Sequence, residues 1–203
     1  MSTIVVVKKN GHAVIAADTL TSQGCRRLTA DHNVDPEKIV RLGHSYIGVT
    51  GSSAHRLVLE HVFGSLEQEP RLSTRREIFD LFRGLHPRLK QEYFLNPRDD
   101  ERDPYESSQM NLLIANRHGI FGCYSLREVF EYERFWATGS GSDYALGAMH
   151  AVYDNDMDAP EIAQIGVRAA IDFDEATGAP MILHAVPLAA TDLVEAVGTV
   201  CAG

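Results

Sequence analysis

Apolar and polar positions alternate at two different periods along this chain, and the changes of period divide it. Residues 3–18, TIVVVKKNGHAVIAAD, form two apolar runs either side of Asn10-Gly11. Two β-branched-rich runs about an Asn-Gly pair predict a tight hairpin. The first strand, with Ile4 to Val7 in succession, begins almost at the first residue, where chains ordinarily fray. KIVRLG and YIGVTG predict two further short strands, with Gly43 near their turn. The period then lengthens. Ala54, Leu57, Val58, His61 and Val62 fall at i, i+3, i+4, i+7 and i+8, one face of a helix. Thr74-Arg75-Arg76-Glu77 has the form of a capping box. It opens a second helix whose apolar face is Ile78, Leu81, Phe82, Leu85 and Leu89.

The polar, proline-bearing stretch from Asn96, NPRDDERDPYESSQ, predicts an exposed loop. Strand-like runs return in MNLLIAN, GIFGCYS and VFEYERFWATG, the last expected as one strand. A helix is predicted from Ser142 toward Val152. Another starts at Asp158-Ala159-Pro160-Glu161 and runs to about Phe173, with proline and an acid in its first turn. PMILHAVPL reads as a final strand, and the tail beyond it is marginal. The order of strands, two helices, strands, two helices and a strand predicts an α+β protein. Two antiparallel sheets would lie face to face with helix pairs outside, in one domain spanning residues 1–203.

Composition narrows the function. Hydrophobic residues at 44% and charged residues at 23% are ordinary for a soluble globular chain. A formal charge of -9 argues against nucleic acid as a partner. No apolar run approaches the roughly 20 residues that span a bilayer. Cys25, Cys123 and Cys201 are widely spaced and odd in number, which fits a reducing cytoplasm better than a disulfide framework. The nine histidines make no H-E-x-x-H or other tight ligand pair, so neither a metal nor another cofactor is expected, and each histidine reads better as core or surface.

TGSSAH and TGSGSD place serine after glycine, but neither is a G-x-S-x-G nucleophile elbow. Free N–H groups in TGSGSD could hold an anion, although a plain loop-to-helix junction is the better local reading. Ser2 is a different case. Removal of Met1 would give one residue both a hydroxyl and a free α-amine of pKa about 7.7–8.0, a nucleophile and a base without histidine. Taken alone, Ser2 reads better as merely the residue that follows the start.

Five segments in order change that balance: STIVVVKKNGHAVIAAD, EKIVRL, GVTGSSA, ATGSGSDYA and AAIDFDEATG. Together they resemble proteasome β-type subunits, especially the bacterial HslV-type peptidases, over nearly the whole chain. The resemblance implies the four-layer αββα sandwich of N-terminal nucleophile hydrolases and a self-compartmentalising, threonine-type endopeptidase. By that resemblance Ser2 stands at the nucleophile, where the family usually has threonine. Asp18 and Lys38 stand beside it, and Gly51 stands at the oxyanion-hole glycine. Ser140, Asp174 and Thr177 match a supporting polar cluster, and Thr21 and Ser22 fall on the segment that pairs with substrate backbone. Serine keeps the hydroxyl and amine but lacks the methyl that restrains the rotamer.

The resemblance also implies a homo-oligomer of two stacked rings of six or seven subunits, an unfolded polypeptide or peptide substrate, and an ATP-dependent unfoldase partner. Two other readings share the fold: a catalytically silent ring scaffold and a small-molecule amidase. An intact Ser2, Asp18 and Lys38 set argues against the first, and ring-type segments along the whole chain argue against the second. Asp99, Asp100, Glu101, Asp103 and Glu106 cluster in the long loop and are expected either to be merely solvated or to attract basic chains.

Overall fold

A computed structural model describes residues 2–98 and 100–189. Strand β1 (Thr3–Lys9) turns at Asn10 and Gly11, both with positive φ, into β2 (His12–Asp18). That is the two-residue hairpin turn whose twist suits the flanking strands. A small second hairpin follows, β3 (Thr21–Gln23) and β4 (Arg26–Leu28), then a single 3-10 turn at Ala30–His32. None of these three was marked by periodicity, because three-residue segments are shorter than one repeat of any pattern.

Strands β5 (Ile39–Leu42) and β6 (Ser45–Thr50) lead into helices α1 (Ala54–Gly64) and α2 (Arg75–Gln91). The Thr74 hydroxyl accepts the Glu77 N–H, and Glu77 reaches back to the Ser73 N–H. Helix α2 continues through Pro87, carried by Ile78, Phe82, Leu85 and Leu89 on its buried face. Next come β7 (Asn111–Asn116), β8 (Gly119–Cys123), β9 (Val129–Tyr132) and β10 (Phe135–Gly139). Helices α3 (Ser142–Val152) and α4 (Ala159–Phe173) and strand β11 (Met181–Pro187) complete the described chain. Asp158 and Glu161 form a full capping box at the start of α4.

One sheet has the order β10-β1-β2-β11 and the other β5-β6-β7-β8-β9, with every pairing antiparallel. The expected single strand over VFEYERFWATG is therefore two strands in different sheets. The chain crosses from one layer to the other at Glu133-Arg134, where the Arg134 carbonyl accepts the Lys8 N–H.

Alternation along β1 explains the layering. Ile4 and Val6 face the opposite sheet with Ile15, Leu113 and Ile120, while Val5 and Val7 face α3 and α4 with Met149, Ile162 and Val167. A third core lies between the second sheet and α1 and α2, around Ile47, Leu59, Phe82 and Phe121. Residues 4–7 have no exposed surface. Each such side chain contributes about 1.5–3 kcal/mol through removal from water. That burial, together with neighbours on both edges, pins a chain start that would otherwise fray. The four layers are those of the αββα sandwich.

Candidate active site

Strand β1 delivers Ser2 to one end of the sandwich. Its carbonyl accepts the N–H of Ser140, and 8% of its surface is exposed. The approach is close enough to exclude a side chain at Gly139, whose φ is +102°. A Cβ there would lie 1.8 Å from the Ser2 carbonyl oxygen.

Asp18 ends β2 directly beside this point and has no exposed surface. Its Oδ1 accepts the Thr3 N–H at 2.9 Å and the Lys38 ammonium at 2.6 Å. Its Oδ2 accepts the Leu20 and Gly178 N–H groups at 3.1 and 3.0 Å. Four donors on one buried carboxylate supply the compensation that an isolated buried charge lacks. Burial pulls the Lys38 ammonium below its ordinary pKa, with the Asp18 carboxylate opposing.

Ser140, Asp174 and Thr177 do come together. The Ser140 hydroxyl donates to Asp174 Oδ2 at 2.7 Å, and the Thr177 hydroxyl donates to the same oxygen. Burial works to raise the Asp174 pKa, but the two hydroxyls together with the Ala176 N–H and the nearby positive charge hold the carboxyl below its ordinary range. Thr3 joins from β1, its Oγ1 lying 2.7 Å from Thr177 Oγ1. Thr3 is fully buried. Its hydroxyl is thus part of the polar cluster behind Ser2 and does not line the open cavity.

That cavity holds about 600 Å³. Ser2, Lys38 and Gly51 line it together with Thr21, Ser22 and Gln23 of β3 and with Val49, Asp35, Arg56 and Leu57. All nine residues singled out from the sequence therefore occupy one end of the molecule. Six are in or directly beside the cavity, and Ser140, Asp174 and Thr177 sit behind Ser2. Gly51, at the end of β6, has φ +125°, a conformation that side chains other than hydrogen rarely adopt. A donor N–H exposed at such a loop can stabilise a developing oxyanion.

The chain matches the family described as Proteasome subunit over residues 1–179. It belongs to that family. Among curated proteins it is 31% identical over 182 residues to the ATP-dependent protease subunit HslV of Caulobacter sp. (strain K31), covering 84% of this chain and 87% of the relative. Among solved structures, the BPH protein of Thiobacillus denitrificans superposes with a TM-score of 0.87 at 42% identity, both alone and in complex with epoxomicin. The complex is covered completely, by 93% of this chain. HslV of Trypanosoma brucei, at 21% identity and a TM-score of 0.61, shares the fold.

Two expectations bear on the surroundings of this site of the proteasome-family chain. The acidic loop lies apart from this cavity, and two of its acids are paired with basic side chains. Lys90 and His86 hold Glu106, and Arg102 holds Asp100. Asp99 and Cys201 lie outside the described residues, as does Met1. Of the histidines, expected to be core or surface rather than ligands, His55 at the first turn of α1 is a buried one. His55 accepts the Ser52 N–H on its Nδ1 and is 9% exposed. The available signal was the local spacing Ser52-Ser53-Ala54-His55 at a helix start, which puts the imidazole within reach of the Ser52 main chain.

Proposed function

We propose that this chain is a self-compartmentalising peptidase that cleaves peptide bonds with the Ser2 hydroxyl after removal of Met1. The observation that carries the reading is the convergence of Ser2, Lys38 and Gly51 on one cavity of a proteasome-family chain, with Thr3 committed elsewhere. Ser2 Oγ attacks the scissile carbonyl carbon and passes its proton to the Ser2 α-amine. The Lys38 cation beside that amine disfavours its protonated form and eases loss of the hydroxyl proton. The Gly51 N–H donates to the tetrahedral oxyanion, a contribution worth about 2.7–4 kcal/mol per donor in comparable sites. Collapse returns the proton to the leaving amine and leaves an acyl ester on Ser2. Water, deprotonated by the same α-amine, releases the acid. Ser140, Asp174 and Thr177 fix the Ser2 main chain, and Thr21 and Ser22 offer backbone to an extended substrate.

The Caulobacter relative is named as a subunit of an ATP-dependent protease. By analogy this chain works as a double ring fed with unfolded polypeptide by an ATP-driven unfoldase.

The test is hydrolysis of fluorogenic peptides by protein whose intact mass shows loss of Met1. Ser2→Ala and N-terminally acetylated protein should each lose turnover by a factor of at least about 10³, in line with removal of a nucleophile or its base. Undiminished hydrolysis by either sinks the mechanism.

A further inference from the structure

The loop that carries Gly51 is held by a group that the proposed reaction does not name. Thr50 anchors one side, pairing with Asn111 of β7 and donating its hydroxyl to the Asn111 carbonyl at 3.1 Å. On the other side, the Ser52 N–H donates to His55 Nδ1 at 3.2 Å, and the His55 N–H donates back to the Ser52 carbonyl at 3.0 Å. Between these anchors Gly51 is gripped closely. A Cβ on it would come within 2.8 Å of both His55 Nδ1 and the Gln109 main-chain oxygen. The rotation of the peptide planes about Gly51 is therefore set by His55 on one side and the strand on the other.

We propose that His55 is a positioning residue for the oxyanion hole: its unprotonated Nδ1, by accepting the Ser52 N–H, fixes the Gly51 loop so that the Gly51 N–H faces the reacting carbonyl. The inference rests on the Ser2 reading above and adds a condition to it. An Nδ1 that accepts a hydrogen bond must carry its lone pair, so the ring is neutral with its proton on Nε2. Protonation would set an N–H against the Ser52 N–H and release the loop. The ring's hydrogen-bond partner is the Ser52 main chain, with Gly51 packed beside it, and neither titrates. Arg56, the next residue on α1, is committed to Asp35 and Glu60. Burial alone lowers the imidazole pKa from its ordinary value, with no charged group contributing. The loop is thus kept in its working form through neutral pH and loses it in acid.

Capping a helix and aiming a donor are separable by kinetics. Asparagine places Oδ1 where Nδ1 stands and does not titrate, whereas leucine fills the space without an acceptor. His55→Leu should lower kcat by about tenfold or more, part of the loss seen on removing an oxyanion donor outright, with KM within about twofold. His55→Asn should restore most of kcat. In acid, log kcat of the unmodified enzyme should fall with a slope approaching two, one proton on the α-amine and one on His55, against a slope of one in His55→Asn. His55→Leu with unchanged kcat, His55→Asn as impaired as His55→Leu, or coincident acid limbs would each overturn the proposal. If His55→Leu does not fold, the acid limbs of the unmodified enzyme and His55→Asn decide alone. Ser2→Ala assayed in parallel separates the two readings. Activity in Ser2→Ala sinks the Ser2 mechanism itself, while an inactive Ser2→Ala beside a fully active His55→Leu sinks only the role of His55.

Discussion

Lys38 and Asp18 form one buried pair that would serve both structure and the proposed chemistry. The pair is almost wholly removed from solvent, so its net worth to stability is small, while removal of one member alone is costly. Lys38→Met leaves the Asp18 carboxylate with three backbone donors in place of four partners. We expect a loss of about 3 kcal/mol, the lower end for a broken buried pair because those donors remain, together with loss of turnover. The double variant Asp18→Asn, Lys38→Met should regain much of the stability and none of the activity. Denaturant unfolding of the single and double variants, set beside peptide hydrolysis, checks both halves. Equal stability of the two variants would show that Asp18 is satisfied by main chain alone. Lys38 also has a pH signature. Its folded pKa is depressed, so the folded form binds this proton less readily than the unfolded chain, and stability should rise with pH between that value and the ordinary lysine pKa.

At the scale of elements, the site depends on how β10 meets β1. Gly139 pairs with Thr3, and its α-carbon faces the Ser2 carbonyl. Gly139→Ala must push Ser2 aside and adopt a φ that suits glycine, so hydrolysis should fall at least about a hundredfold, since small misplacements of reacting groups cost on that order. Gly84→Ala, in open space on α2, should instead stabilise by about 0.5–1 kcal/mol with activity unchanged. Activity retained in Gly139→Ala would mean that β1 is held less tightly than its contacts imply.

The same elements mark what the sequence could tell. The hairpin of β1 and β2, both capped helices α2 and α4, and the alternation of layers were legible because each has a periodic or capping signal of its own. The break between β9 and β10 was not. Tyr132, Glu133 and Arg134 continue the same polar and aromatic pattern through the crossing, and only the partners, β8 on one side and β1 on the other, divide it. The site was legible through family resemblance rather than local pattern, since Ser2, Asp18 and Lys38 are far apart along the chain. Thr3 was missed because its role lies in tertiary contacts that spacing does not encode, and His55 because its local contact with Ser52 matters only beside Gly51.

For the whole molecule, the outer surface carries apolar residues that a lone subunit leaves in water. Val34 is fully exposed, Leu57 is exposed beside the cavity, and Phe173 with Tyr144 forms an exposed aromatic pair on α4 and α3. Such surfaces commonly mark interfaces, and an enclosed site would keep a peptidase from the proteins around it. We expect sedimentation velocity at micromolar concentration to show a closed double-ring oligomer of this chain. A monomer or dimer would refute that arrangement, and Phe173→Glu should shift the distribution toward smaller species.

The position of β1 inside its sheet also sets a clock. Strand β1 lies between β2, joined to it by the Asn10-Gly11 turn, and β10, which begins at Phe135 and is followed by Ser140, whose N–H holds Ser2. Until the chain has grown past that point, one edge of β1 is open and its first residues are accessible to an aminopeptidase. At synthesis rates of about 5–20 residues per second, the interval is on the order of ten seconds. Once β10 docks, Ser2 keeps only 8% of its surface exposed. If Ser2 acts as proposed above, Met1 is therefore removed most easily during synthesis, before β10 closes the second edge of β1.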